Sequence, residues 1–222
     1  FKAHVDGQNA DAGGPLSASA VYASGLMSGK EGAAQVVIDG DLDLSGNANG
    51  LTANIGGASI EANGGRIEMN QDNTLGFAAL RASNGMISLN IKSSNGEVVS
   101  AGNKVEIRGN VVASTSAVNQ ADTYGTSTSI RLGLDTEDSS LEGVIYNAFG
   151  DGVKAGNLTF TGETNLWLSN GAAWKNHAYG KITQSDYGNG GNAFLGSVVT
   201  NFHGGKTKET AGHIFQLDEN DL

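Results

Sequence analysis

The chain of 222 residues carries 34 Gly, 1 Pro and no Cys, with 13 Lys and Arg against 23 Asp and Glu for a formal charge of −10. Gly at about twice ordinary usage calls for many tight turns, while 38% hydrophobic residues, gathered in short runs, set the chain apart from a flexible linker. Few and scattered cations argue against nucleic acid as a partner, no disulfide can form, and no stretch of ~18 apolar residues offers a membrane-spanning helix, so this segment is not expected to insert in a membrane.

Residues 1–35 are rich in Ala, Gly and Ser and read as an irregular N-terminal region. From there, short apolar runs closed by Asn, Asp, Ser or Gly follow one another: VVIDGDLDL (36–44), LTANI (51–55), ASIEA (58–62), RIEMN (66–70), FAALRA (77–82), MISLNI (86–91) and KVEIR (104–108). After a polar segment at 113–128, expected to loop out of the fold, come IRLGL (130–134), NLTF (157–160) and NLWL (165–168). Their length and alternation are those of strands, and Gly interrupts every window long enough for an amphipathic helix. In 36–44 the alternation places Val36, Ile38, Gly40, Leu42 and Leu44 on one face and Val37, Asp39, Asp41 and Asp43 on the other. The first face is aliphatic and belongs inside; the second is acidic and belongs in water.

Sliding the chain on itself lays ASIEANGGRIEMN (58–70) over AALRASNGMISLN (78–90) without a gap, an offset of 78 − 58 = 20. VVSAGNKVEIRGN (98–110) repeats the same logic with its register slipped by about one residue. A period near 20 is that of a solenoid, whose repeats bury their apolar faces only by stacking. The expected fold is therefore all-β, a parallel β-helix of about 20 residues per coil forming one elongated unit over 1–222. Ile67 is expected to stack on Ile87 inside, and Asn70 on Asn90 at a corner that tolerates left-handed backbone.

GNLTFTGETNLWLSNGAAWKNHAYG (156–180) and SVVTNFHGGKTKETAGHIFQLDENDL (197–222) are similar to the late passenger region of type V autotransporter adhesins. There a strand of the form NLTLxNGAxW precedes a segment ending in AGxIFQ. The resemblance covers the last third of the chain; the preceding coils fit by architecture only. It implies a right-handed β-helix, export by a C-terminal outer-membrane β-barrel, a place outside the cell on the bacterial surface, and a role in adhesion, aggregation or biofilm formation. Neither barrel nor leader is present and the sequence opens on Phe1, so it is expected to be a piece of a longer chain.

There is no G-x-S-x-G, and His4, His177, His203 and His213 have no Ser in a recognisable setting, so they are expected on the surface. Asp39, Asp41 and Asp43 spell D-x-D-x-D and are the only metal candidates, but Leu44 and Gly50 stand where a calcium loop needs Gly and Glu. A solvated acidic face is the simpler reading of them. Gly188, Gly190 and Ala193 form G-x-G-x-x-A with no helix to follow, hence a loop. Asp135, Glu137 and Asp138 are the other carboxylate cluster, without a basic residue inside the run. Trp167, Trp174, Tyr179 and Tyr187 are candidates for a glycan-stacking platform, weighed against packing inside a coil. The reading is a non-enzymatic adhesive module needing no cofactor, which binds its own kind or a host or partner-cell surface protein or glycan. Two alternatives stand beside it: a carbohydrate-active β-helix enzyme of the polysaccharide lyase or hydrolase type, and a structural spacer stalk.

Overall fold

The computed structural model describes residues 1–6, 18–25, 33–54, 56–69, 78–115, 128–149, 162–177, 197 and 199–216, and the structural statements that follow concern these. They hold almost no helix, a single 3-10 turn at Lys208–Thr210. Nearly all the strands fall into three parallel sheets. Sheet I orders β1 (Lys2–Asp6), β4 (Leu42–Asn47), β7 (Gly65–Met69), β12 (Val105–Arg108), β15 (Ser140–Glu142), β18 (Ala173–Asn176) and β20 (His213–Gln216). Sheet II orders β2 (Ser19–Ser24), β5 (Asn49–Asn54), β8 (Leu80–Ser83), β13 (Val111–Thr115) and β16 (Ile145–Phe149). Sheet III orders β3 (Gln35–Ile38), β6 (Ser59–Ala62), β9 (Met86–Leu89), β14 (Ser129–Leu134), β17 (Glu163–Leu168) and β19 (Asn201–Gly204). Followed along the chain, the strands of these sheets enter I, II and III in turn from β1 to β17, and β18, β19 and β20 then follow in sheets I, III and I.

The rotation stacks like on like. In sheet I the inward ladder reads Ala3, Leu44, Ile67, Ile107, Leu141, Trp174 and ends on Ile214, which is exposed on the last strand. In sheet III it reads Val36, Ile60, Ile87, Ile130, and in sheet II Val21, Leu51, Leu80, Val111, Ile145. All three contribute to one apolar cluster in which most members are fully buried. Burying an aliphatic side chain of this size is worth about 1.5–3 kcal/mol, and each ladder repeats that gain at every circuit.

The register corrects the 20-residue repeat. Ile67 pairs with Leu44 and Ile107, not with Ile87, and Ile87 pairs with Ile60 and Ile130. Stacked partners lie between 65 − 42 = 23 and 129 − 86 = 43 residues apart. The two segments that matched without a gap occupy different corners: 58–70 carries β6 and β7, from sheet III to sheet I, whereas 78–90 carries β8 and β9, from sheet II to sheet III. Asn70 lies outside the described residues.

Corners use the residues that tolerate them. Asn84, Asn90, Asn95 and Asn170 adopt positive φ between 52° and 58°, where an Asn side chain can substitute for backbone partners. Asn90 is fully buried; its amide donates to the carbonyls of Asn103 and Gly133 at 2.9 Å, and its Oδ1 accepts the Asn103 N–H at 3.0 Å. That clamp closes an excursion, because β10 (Ile91–Ser94) and β11 (Glu97–Ser100) form an antiparallel hairpin between β9 and β12. Its turn is Asn95-Gly96, both at positive φ as a two-residue hairpin turn of type I′ requires. The stretch MISLNI is therefore two strands broken at Asn90, and VVIDGDLDL is likewise β3 and β4 broken at Asp39–Asp41.

The N-terminal region is more regular than its composition suggests: β1 and β2 lie within 1–35 and pair with β4 and β5. At 113–128, Ala113–Thr115 belong to β13 and 116–127 lie outside the described residues, as does NLTF (157–160).

Candidate functional surface

The three sheets present different outer faces. Sheet II is buried on both over its central strands: its outward ladder runs Tyr22, Thr52, Arg81, Val112, of which Tyr22 on the edge strand β2 is 47% exposed and the other three are 0%, 7% and 0% exposed. Asn49 serves this sheet from its edge, its Oδ1 accepting the Ala78 N–H at 2.8 Å and Arg81 Nε at 3.2 Å. Sheets I and III keep outward faces open to solvent.

On sheet I the alternation that buries Ile67, Ile107 and Leu141 sends two columns outward. The first runs Lys2, Asp43, Arg66, Glu106, Ser140, Ala173; the second runs Glu68, Arg108, Glu142, Lys175. Signs alternate along both, so each charge has an opposite charge on the next strand, the arrangement that favours parallel registry over a slipped one. Lys2 Nζ meets Asp43 Oδ2 at 2.7 Å, and Lys104 Nζ meets Glu106 Oε2 at 3.2 Å. Glu68 is held by Arg66 and by Arg108 at 3.1 Å; Glu142 is held by Arg108 at 3.6 Å and Lys175 at 3.8 Å, with His177 Nε2 3.5 Å away. Where the first column shortens to Ser140 a shallow depression of about 210 Å³ opens, lined by Arg66, Glu106, Arg108, Ser140, Glu142 and Lys175.

The layering of charge inside this surface is uneven. The carboxylates Glu68 and Glu142 are 9% and 19% exposed, whereas the cations Arg66, Arg108 and Lys175 are 57%, 48% and 50% exposed. Glu68 and Glu142 form the floor, and the rim carries the three cations and Glu106, which is 43% exposed. At the edge of the sheet, the hydrogen bond from Lys2 holds the exposed Asp43 carboxyl below the ordinary carboxylate range.

Sheet III carries a smaller polar surface. Asn201 donates to Glu163 Oε1 at 2.7 Å and Asn165 Oδ1 at 2.8 Å, and Trp167 stacks on His203 with ring centroids 4.3 Å apart and planes 6° from parallel. Of the aromatic candidates, Trp167 thus faces outward and is half-buried, while Trp174 belongs to the core, 5% exposed, its indole N–H donating to Gly143 O at 2.9 Å. The structure does not bring the two onto one face, and Tyr179 and Tyr187 lie outside the described residues.

Asp39 and Asp41 are exposed on the corner between β3 and β4, and Asp43 faces outward from β4 towards Lys2. Among the described residues no group of three or more His, Cys, Asp or Glu is gathered as a metal site. His4, His203 and His213 are exposed as expected, but the His177 side chain is only 8% exposed and lies against Glu142, a correction to its surface placement. The sheet I columns escaped sequence reasoning because neighbouring members are between 66 − 43 = 23 and 43 − 2 = 41 residues apart and fall into register only through the stacking of strands. Their signal was nonetheless present: R-I-E, E-I-R and W-K each put charge beside a buried Ile or Trp at strand spacing.

Comparison with protein-family models, with curated proteins and with solved structures finds no match for the chain.

Proposed function

We propose that the chain is a stretch of right-handed parallel β-helix that works as an adhesive module on the outside of a bacterial cell, joining cells to one another or to a host or partner-cell surface. The observation that carries this reading is the rotation of strands through three parallel sheets around one core, which leaves two long outward faces of ordered polar and charged side chains. Right-handedness follows from the general rule for crossovers between parallel strands of one sheet. Such faces suit many modest contacts made along a length, as a surface that must grip another surface requires. The similarity of 156–222 to autotransporter adhesin passengers supports export and adhesion as the setting.

Displaying the chain on a non-adherent bacterium tests the reading, with aggregation and host-cell attachment expected to rise above an empty display scaffold. No gain in either rejects it. If the chain were a spacer stalk instead, removing the circuits between 58 and 110 would weaken adhesion only by shortening reach, whereas a binding surface would lose it.

A polysaccharide-cleaving enzyme is the second reading, favoured by the combination of carboxylates and cations around the depression on sheet I. Release of unsaturated products or new reducing ends from an acidic polysaccharide would select it.

A further inference from the structure

The rim and floor of the sheet I surface define a more specific ligand than the adhesive reading names. We propose that this surface is a binding groove for a linear anionic glycan, one bearing carboxylate or sulfate groups, with Arg66 and Lys175 as its anchoring cations and Arg108 between them. The inference deepens the adhesive reading and rests on it for its biological setting only.

Three observations converge. First, the depression sets Arg66, Arg108 and Lys175, together with the carboxylates Glu106 and Glu142, around the small Ser140, so a glycan entering it meets three cations for its anionic groups and carboxylate acceptors for its hydroxyls while its backbone rests over a short side chain. Second, the charges are layered: Glu68 and Glu142 lie beneath at 9% and 19% exposure and hold the cations above them near half exposure. Carboxylates in that position fix the guanidinium and ammonium groups at low entropy cost, so that binding spends little on ordering long side chains. Arg66 directs one nitrogen to Glu68, and a guanidinium has five N–H donors in a planar fork suited to an oxyanion. Third, the cations are spaced along the stacking direction. Arg66 on β7 and Lys175 on β18 are three strands apart, roughly 14 Å at the spacing of hydrogen-bonded strands, with Arg108 one strand from Arg66. That span matches a short oligosaccharide lying along the stack, not a single small anion.

The remainder of the molecule sharpens the preference. With a net charge of −10, acidic positions such as Asp39, Asp41 and Glu61 are exposed on sheet III and its corner, where an anionic polymer is repelled, whereas on sheet I the outward carboxylates Asp43 and Glu106 are each paired with a Lys.

Isothermal titration of the whole 222-residue chain at low salt, against heparin, polygalacturonate and neutral dextran, tests the proposal. Heparin or polygalacturonate is expected to bind and dextran not, with the stronger of the two identifying sulfate or carboxylate as the preferred group. The double substitution R66Q/K175Q is expected to weaken binding roughly tenfold or more, while far-UV circular dichroism shows the fold retained at the temperature of the titration. The control pair K206Q/K208Q, which removes the same charge near β19 and outside the groove, is expected to change affinity less than twofold. Absence of binding to both polyanions overturns the proposal, as do equal binding of dextran, full retention in R66Q/K175Q, or an equal loss in the control pair. Aggregation of displaying cells that persists in R66Q/K175Q, together with any of those results, rejects the groove and leaves the adhesive reading standing; polyanion binding without adhesion does the reverse.

Discussion

Sheets I and II are built on the same parallel ladder, yet only sheet I meets solvent along the middle of its outer face. The outward residues of sheet II, Thr52, Arg81 and Val112, are as buried as its inward Leu51 and Leu80, while sheet I turns Arg66, Arg108 and Lys175 outward at about half exposure. Both sheets satisfy the same backbone and fill the same core, so the difference lies in what their second faces are free to do. Over β5, β8 and β13 sheet II is structural on both sides; sheet I is structural inside and chemically available outside.

Matched lysine substitutions should break or uphold this contrast, and they carry the largest expected effect. Thr52→Lys forces a charge and a long stem into a fully buried position and is expected to cost about 4 kcal/mol or to prevent folding. Ser140→Lys, on the open face of sheet I, is expected to cost less than about 0.5 kcal/mol by the same urea titration. Next in size is the core that the sheets share: Ile107→Ala removes the centre of the sheet I ladder between Ile67 and Leu141, with an expected loss of about 3 kcal/mol. Asn90→Ala is expected to cost about 2 kcal/mol, since it forfeits both the tolerance of positive φ and the clamp on Asn103 and Gly133. Asn90→Gly separates the two terms, because it keeps the backbone freedom and loses only the clamp.

The smallest effect is at the edge of sheet I. Asp43 is depressed in the folded chain, so its contribution is present above the unfolded carboxyl value and lost as pH falls through the lower folded one. Lys2→Ala is expected to raise the Asp43 midpoint, measured by NMR titration, back towards the ordinary carboxylate value. An unchanged midpoint would remove Lys2 as the cause.

Much of this architecture was legible in the sequence at the level of single strands. The period-2 alternation of KVEIR and NLWL places Val105, Ile107, Leu166 and Leu168 inside, where they are found. Gly and Asn at the breaks mark the corners because few other residues accept positive φ there. Register was not legible, for a physical reason: every corner asks for the same chemistry, an inward aliphatic on each side of an Asn or Gly. A segment turning from sheet III to sheet I therefore resembles one turning from sheet II to sheet III, and the 20-residue match joined two corners that do not stack. Short strands such as Ser140–Glu142 carry too few residues to show a period, and the polar outer face of sheet II gives no sign in its residue types that it is buried. Of the site candidates, alternation alone could not tell Trp167 from Trp174, because 165–168 and 173–176 are separate strands in different sheets.

The sheet I and sheet III surfaces exist only if these strands stack as described, and the absence of Cys makes a direct test clean. Ser59 and Met86 are register partners on β6 and β9, whereas Arg66 and Met86 are related by the offset of 86 − 66 = 20 and lie on different sheets. Paired strands bring Cα atoms roughly 4.8 Å apart, within reach of a disulfide. Mild oxidation of Ser59→Cys/Met86→Cys should give an intramolecular cross-link visible by gel shift, while Arg66→Cys/Met86→Cys should stay reduced. A cross-link in the second pair and none in the first would contradict the three-sheet register and the surfaces built upon it.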